Sequence, residues 1–216
     1  MTPYYHDEAA GITIYHGDCR DVLPGLDADV LVTDPPYGIG WRTPPGRSRP
    51  KGSWSVTGDD VPFDPTHLLA LGLPSVIFGA NHFSTLLPAS PGWIVWDKRH
   101  NMPSNDQSDA ELAWTNILGS VRTIRCTWNG GGSLLRENGP QRSIHPTQKP
   151  VQLFCSVIVL TRTTGVIIDP YMGTGTTIRA AKDLGRRAIG IEIEERYCEI
   201  AARRLQQSVL PLGVAS

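Results

Sequence analysis

The sequence predicts one α/β domain built around a mostly parallel sheet. Three observations carry that prediction. Short apolar runs alternate with stretches of helical period; several of those runs end on an acid, as at Asp34, Asp169 and Glu192; and the run ending at Asp169 passes through a glycine-containing turn straight into a helix. Hydrophobic residues make up 40% of the chain, enough for one substantial core, so 1–216 is read as a single domain with excursions.

Taken in order, 12–15 reads as a strand ending at Gly17-Asp18, and 28–33 as a second strand that delivers Asp34. From about 38 to 58 the composition turns to Gly, Pro, Ser, Arg and Lys with no apolar face to bury. That predicts a long mobile loop carrying Arg42, Arg47, Arg49 and Lys51 between Trp41 and Trp54. A helix over 65–72, a strand over 75–79, a helix over 81–87 and a strand over 93–97 follow. Between about 98 and 145 the pattern is irregular; strands are expected over 111–115 and 121–128, and the stretch as a whole reads as an insertion outside the sheet. Alternation resumes with a helix over 147–160, apolar around its axis and therefore buried. Strand 165–168, helix 174–184 stopped by Gly185, strand 187–191 and helix 194–206 complete a βαβα unit. Trp93, Trp96 and Trp114 are assigned chiefly to core packing, with a subunit interface as the other use for them.

The bulk numbers bound the function. A formal net charge of −1 gives no global basic signature, so contact with nucleic acid has to come from local clusters. The cysteines, Cys19, Cys126, Cys155 and Cys198, are scattered without a CxxC pair or a histidine at zinc-ligand spacing, which argues against a disulfide scaffold or zinc module. No apolar run approaches the roughly 20 residues that cross a bilayer and no charged-then-apolar leader opens the sequence, so a soluble cytoplasmic protein without a membrane partner is expected.

Strand 166–168 runs into Asp169-Pro170-Tyr171-Met172-Gly173-Thr174-Gly175-Thr176-Thr177. Glycines after a parallel strand let backbone approach a ligand closely, and the following helix N-terminus favours an anionic group. Glu192 stands 23 positions after Asp169, near the spacing at which an acid on the next strand grips a ribose diol. Ile178 occupies the place of the third glycine of a dinucleotide fingerprint, which points away from a pyrophosphate and toward an adenosine with a short zwitterionic tail, as in S-adenosylmethionine. The plainer reading is a tight strand-to-helix turn.

At the other end of the chain, strand 30–33 runs into Asp34-Pro35-Pro36-Tyr37. Two prolines stiffen the backbone and remove two N–H donors, leaving a carboxylate and carbonyls, all acceptors, at the sheet edge where α/β folds bind ligands. Such a site holds an –NH₂ group by both hydrogens. A strand-ending turn is again the plainer alternative.

Together these motifs resemble the amino-methylating DNA methyltransferases of N6-adenine and N4-cytosine, in the permuted β-class order: catalytic half, recognition segment, cofactor half. Asp34 to Tyr37 resembles the catalytic motif, Asp169 to Gly175 the cofactor loop, and His145-Pro146-Thr147-Gln148-Lys149-Pro150 the block before the preceding helix. The resemblance implies a Rossmann-like S-adenosylmethionine-dependent methyltransferase fold with circularly permuted motifs, a mostly parallel sheet and a short recognition insertion. It implies Asp34, Pro35, Pro36 and Tyr37 as the catalytic residues, Tyr37 offering a stacking face to a base flipped out of double-stranded DNA. Asp18 and Cys19 then meet the cofactor's adenine, although Asp18 serves equally as a helix cap. Glu192 takes the ribose, Thr147 and Lys149 the methionine end, and Asp169, Pro170, Tyr171, Gly173, Gly175 and Thr176 the turn around it.

Phosphate and base contacts fall to Arg42, Arg47, Arg49 and Lys51 in the loop and to Arg122, Arg125 and Arg136 in the irregular stretch. A homodimer is in keeping with the resemblance. Methyl transfer is direct, without a covalent enzyme intermediate, since no cysteine stands beside the catalytic strand. Asp at the head of the tetrapeptide favours adenine N6 over cytosine N4. An RNA or protein-glutamine substrate, or a DNA-binding module without catalysis, remain the alternatives. A role in restriction-modification fits the family.

Overall fold

Aliphatic residues at 30–32 put the second long apolar run at the heart of the molecule. The computed structural model describes residues 2–42, 56–100, 102–104, 108–127 and 148–206. Within them the chain forms β1 (Tyr5–Asp7), β2 (Ile12–His16), α1 (Cys19–Val22), β3 (Val30–Thr33), α2 (Thr66–Leu69), β4 (Ser75–Phe78), β5 (Gly92–Asp97), β6 (Ala110–Thr115), β7 (Arg122–Arg125), α3 (Val151–Thr161), β8 (Ile167–Asp169), α4 (Thr176–Asp183), β9 (Ala188–Glu192) and α5 (Glu195–Gln206). The strands make one sheet in the order β1-β2-β9-β8-β3-β4-β6-β5-β7. From β2 to β4 every neighbouring pair is parallel.

Both faces of that parallel block are covered, and the two-residue period of a strand sorts its side chains between them. Val30 and Val32 pack with Phe154, Val157 and Ile158 of α3 and Ile178 of α4. Leu31 packs on the opposite face with Val22, Leu23 and Leu68. Val30, Leu31 and Val32 are fully buried, each contributing roughly 1.5–3 kcal/mol relative to an exposed position. The helix at α3 is buried on most sides as expected, with Gln152 and Val159 turned outward.

The irregular stretch corrects the expectation of an insertion outside the sheet. β6 lies inside it, antiparallel between β4 and β5, with Trp114 opposite both Ile77 and Trp93. β7 then pairs parallel with β5 at the edge and buries Ile124. The reason is burial: Ala113 and Trp114 carry too much apolar surface to leave in water, and Trp96 and Trp114 are both core residues. A second correction concerns 81–87, where two short 3-10 turns, Ala80–His82 and Ser84–Leu86, replace a helix. Phe83, at φ −134°, breaks the helical path between them. β1, three residues hydrogen-bonded antiparallel to β2, is too short to show a period in the sequence. Among the described residues no helix is long and apolar enough to cross a membrane.

Candidate active site

All five strands of the parallel block deliver their carboxyl ends to one edge. β8 leads through α4 to β9 on one side, whereas β3 leads through α2 to β4 on the other, so the winding reverses between β3 and β8. Open sheets bind ligands at such a reversal. Here the two strands end at Asp34 and Asp169, and the Thr33 hydroxyl links them by donating to Asp169 Oδ1 at 2.7 Å. A cleft of about 790 Å³ opens above, lined by Asp34, Pro35, Pro36 and Tyr37 on one side and by Asp18, Cys19, Asp169, Pro170, Tyr171, Gly173, Thr176 and Glu192 on the other.

On the first side Asp34 Oδ1 accepts two hydrogen bonds, from the Tyr37 hydroxyl at 2.6 Å and from Lys149 Nζ at 2.5 Å. Both fall on one oxygen, and no partner for Oδ2 is present among the described residues. Lys149 also donates to the Tyr37 hydroxyl at 2.7 Å and lies 3.2 Å from Glu111 Oε2, while Glu111 Oε1 accepts from Lys98 at 3.1 Å. Two ammoniums and two carboxylates thus balance. Glu111 reaches the site because β6 runs antiparallel: pairing Phe78 with Ala113 carries the start of β6 just past the carboxyl end of β4.

Burial pulls the Lys149 ammonium down, but Asp34 and Glu111 outweigh it and hold its pKa above the ordinary lysine value. For Asp34, burial pushes the carboxyl up against the opposing pull of Lys149, and Glu111 adds to the rise. Burial also holds the Tyr37 hydroxyl protonated, reinforced by the two carboxylates. The Tyr37 ring lies against the backbone of Gly79, where a Cβ would fall 2.0 Å from Cε1, and His82 stacks on it with centroids 5.1 Å apart.

Prolines 35 and 36 offer no amide hydrogens, and Asp59 collects those that follow. Its Oδ1 accepts from Tyr37, Gly38 and Ile39 at 2.9, 2.8 and 3.3 Å, and its Oδ2 from Trp41 at 2.6 Å. Asp59 is itself buried. One carboxylate therefore fixes the backbone leaving the tetrapeptide, as buried N–H groups require partners.

On the second side Asp169 Oδ1 also accepts the Tyr171 amide at 3.1 Å. Burial pushes Asp169 up to about 6, against hydrogen bonds from Thr177 and Thr33. Glu192, at the end of β9, accepts the Gly173 amide on Oε2 at 2.9 Å and the Glu194 amide on Oε1 at 2.8 Å; burial pushes it up to about 7. Gly175 begins α4 at φ +79°, and a Cβ there would come within 2.8 Å of Ala201, so glycine lets α5 close on the turn. Asp18 caps α1 by accepting the Arg20 amide at 2.9 Å while lining the cleft, which realises the capping reading. Burial pushes the Cys19 thiol up, and its sulfur lies 3.9 Å from His67 Nε2, which also meets the Tyr171 hydroxyl at 2.8 Å.

Of the remaining expected site residues, Lys149 is 6% exposed and bonded to Asp34, Tyr37 and Glu111, so the structure groups it with the acidic tetrapeptide rather than with the glycine turn. Arg42, Arg122 and Arg125 are described but do not line the cleft; Arg125 faces Asp97 at 3.8 Å. Thr147, Arg47, Arg49, Lys51 and Arg136 lie outside the described residues. Glu111, Asp59, Gly79 and His82 were not singled out in the sequence. Glu111 had one signal available, an acid opening a strand that was itself recognised.

Residues 95–203, just over half of the chain, match the family model for N6/N4 methyltransferases, described as DNA methylase. The type II methyltransferase M2.DpnII of Streptococcus pneumoniae is 34% identical over 114 residues, covering 52% of this chain, which in turn spans 41% of that relative's length. Among solved structures, the M1.HpyAVI–SAM complex superposes with a TM-score of 0.55 at 25% identity, covering 89% of this chain and 99% of that one. The PvuII DNA methyltransferase, a cytosine-N4-specific enzyme, gives 0.62 at 14% identity over 93% of this chain and 88% of its own, a likeness of fold alone. The fold is the Rossmann-like methyltransferase fold. Because the family match runs from within β5 to within α5, taking in Glu111, Lys149 and the whole turn from Asp169 to Glu192, the chain belongs to the N6/N4 family of DNA methylases.

Proposed function

We propose that this chain moves a methyl group from S-adenosylmethionine to an exocyclic amine of a base in double-stranded DNA, adenine N6 in preference to cytosine N4. The observation that carries the reading is the half-engaged carboxylate of Asp34: Oδ1 is fixed by Tyr37 and Lys149, while Oδ2 has no partner among the described residues, in a cleft that Pro35 also lines. An exocyclic amine is a poor nucleophile because its lone pair is delocalised into the ring. Accepting its two hydrogens at Asp34 Oδ2 and the Pro35 carbonyl favours a pyramidal nitrogen with a localised lone pair. Lys149 and Tyr37 keep the carboxylate aimed, and Oδ2 receives the proton that the nitrogen sheds.

The cofactor supplies an electrophilic methyl group on a sulfonium. Its fit rests on the donor set of the second side: Glu192 for the ribose hydroxyls, the Gly173 turn for close backbone approach, and Asp18 with Tyr171 around the adenine. A base has to leave the duplex to enter the cleft. His82 already covers one face of Tyr37, so stacking on that ring is confined to what His82 leaves open. The aspartate heading the tetrapeptide supports adenine. Type II methyltransferases among the relatives support a place in restriction-modification.

The test is incubation with labelled cofactor and plasmid DNA, followed by hydrolysis to nucleosides. Label in N6-methyladenine is expected; label only in N4-methylcytosine overturns the adenine assignment. Asp34→Ala is expected to abolish transfer while leaving cofactor affinity nearly intact, and unchanged turnover in that variant overturns the role given to Asp34.

A further inference from the structure

Lys149 stands between two carboxylates, and only one of them belongs to the tetrapeptide. We propose that Glu111 is a positioning residue for the transfer: by taking a share of the Lys149 ammonium it keeps that cation from saturating Asp34, so that Asp34 Oδ2 retains its acceptor strength toward the target amine. The inference rests on the amine-methylating reading above and assigns a role to a strand that the catalytic motif does not include.

The geometry is specific. Glu111 Oε2 lies 3.2 Å from Lys149 Nζ and 3.3 Å from the Tyr37 hydroxyl oxygen, so it touches both groups that hold Asp34 Oδ1. Its other oxygen is fixed by Lys98 at 3.1 Å, which prevents it from turning fully onto Lys149. Lys149 is 5% exposed at its side chain and Glu111 25%, so solvent does little to dilute the sharing. Among the described residues the charged groups around Asp34 come from several elements: Lys149 ahead of α3, Glu111 on β6 with Lys98 paired to it from the end of β5, and Asp169 on β8, with Tyr37 and its stacked His82 beside them. Besides Asp34 itself, Glu111 is the one acid among the described residues in contact with Lys149. An ammonium committed to Asp34 alone would draw electron density toward Oδ1 and weaken Oδ2 as an acceptor, because the carboxylate's negative charge is delocalised over both oxygens and a charge-assisted hydrogen bond at one polarises the whole group.

The consequence is a signature that structural damage does not produce. Glu111 raises the proton affinity of Asp34, so removing its charge lowers that affinity. In Glu111→Gln the Asp34 carboxyl resonance, followed by carbon-13 NMR on the free protein, is expected to titrate at lower pH than in the wild type. Single-turnover transfer at neutral pH is expected to fall about tenfold, the weight of one weakened hydrogen bond to a charged group, while its acid limb extends to lower pH. Lys98→Met removes a positive charge and frees Glu111 to bear on Lys149, so it is expected to move both readouts to higher pH. An Asp34 titration that is unmoved, or moved the same way in both variants, overturns the proposal. Should Glu111→Gln fail to fold, the sign of the Lys98→Met displacement decides alone. The titration needs no DNA and no cofactor, so failure of the methyl-transfer reading shows as an inactive wild type and is distinguishable from failure of this one.

Discussion

Lys149 Nζ lies 2.5 Å from Asp34 Oδ1, joining side chains 115 positions apart in the chain. The contact ties the loop leaving β3 to the entry of α3, and so couples the two halves that the permuted motif order separates. Lys149 lies almost wholly out of water, and an ammonium so placed persists only where carboxylates compensate it.

Lys149→Met is therefore expected to destabilise the protein by roughly 3–5 kcal/mol, the usual result of stripping one partner from a buried pair. It removes the cation between Asp34 and Glu111 and leaves Lys98 on Glu111 alone, so Asp34 loses the influence that opposes burial and titrates at higher pH. Denaturant unfolding measures the first effect and the acid limb of transfer the second. A midpoint equal to that of the wild type would contradict the burial argument.

Gly79 is the place where backbone freedom decides side-chain position. At φ +69° it adopts a left-handed conformation that costs another residue roughly 1–3 kcal/mol. A Cβ would also overlap the Tyr37 ring. Gly79→Ala is expected to lose at least that stability and about a hundredfold in transfer, because the displaced ring releases Asp34 from its aim. Gly72 has φ +65° but open space around it, so Gly72→Ala should share the stability loss and keep its transfer rate. Equal rates in the two variants would sink the positional argument for Tyr37.

These two sites differ in how far the sequence reveals them. Asp34, Asp169 and Glu192 were legible because each ends an apolar run, and the strand it ends proves to be parallel and buried. An acid at that point has nowhere to go but the carboxyl edge. The contact between Lys149 and Glu111 was not legible, since it depends on β6 entering the sheet antiparallel between β4 and β5, and local pattern carries no information about strand order. The same reason made the irregular stretch look like an excursion. Asp59 escaped notice for a different cause: its partners are backbone amides, which every sequence has, so nothing in its neighbours marks it as an anchor. The turn from Asp169 to Gly175 was readable as a glycine turn from strand into helix, but the role of Gly175 in admitting Ala201 of α5 appears only in the packing.

The raised pKa of Glu192 gives the cofactor side its own test. Burial holds this carboxyl at about 7, above its ordinary value of 4.5, against the two amides that favour its ionised form. The free protein thus keeps Glu192 protonated over a range where the unfolded chain has already lost that proton. Stability from this group is fully present below about 4.5 and is lost as pH rises through about 7. Relative to Glu192→Gln, which cannot ionise, the wild type is expected to lose stability progressively across that window, about 1.4 kcal/mol for each tenfold difference in proton affinity. Cofactor binding should run the opposite way. Ribose hydroxyls donate more strongly to a carboxylate than to a carboxylic acid, by on the order of 1 kcal/mol. Affinity for S-adenosylmethionine, measured by calorimetry without DNA, is expected to tighten about fivefold to tenfold between pH 6 and pH 8. The Gln variant should bind more weakly and without that slope, apart from what Asp169, at about 6, adds near the acid end. A wild-type affinity that stays level from pH 6 to pH 8 would remove Glu192 from the ribose, because the ionisation of Glu192 falls within that window.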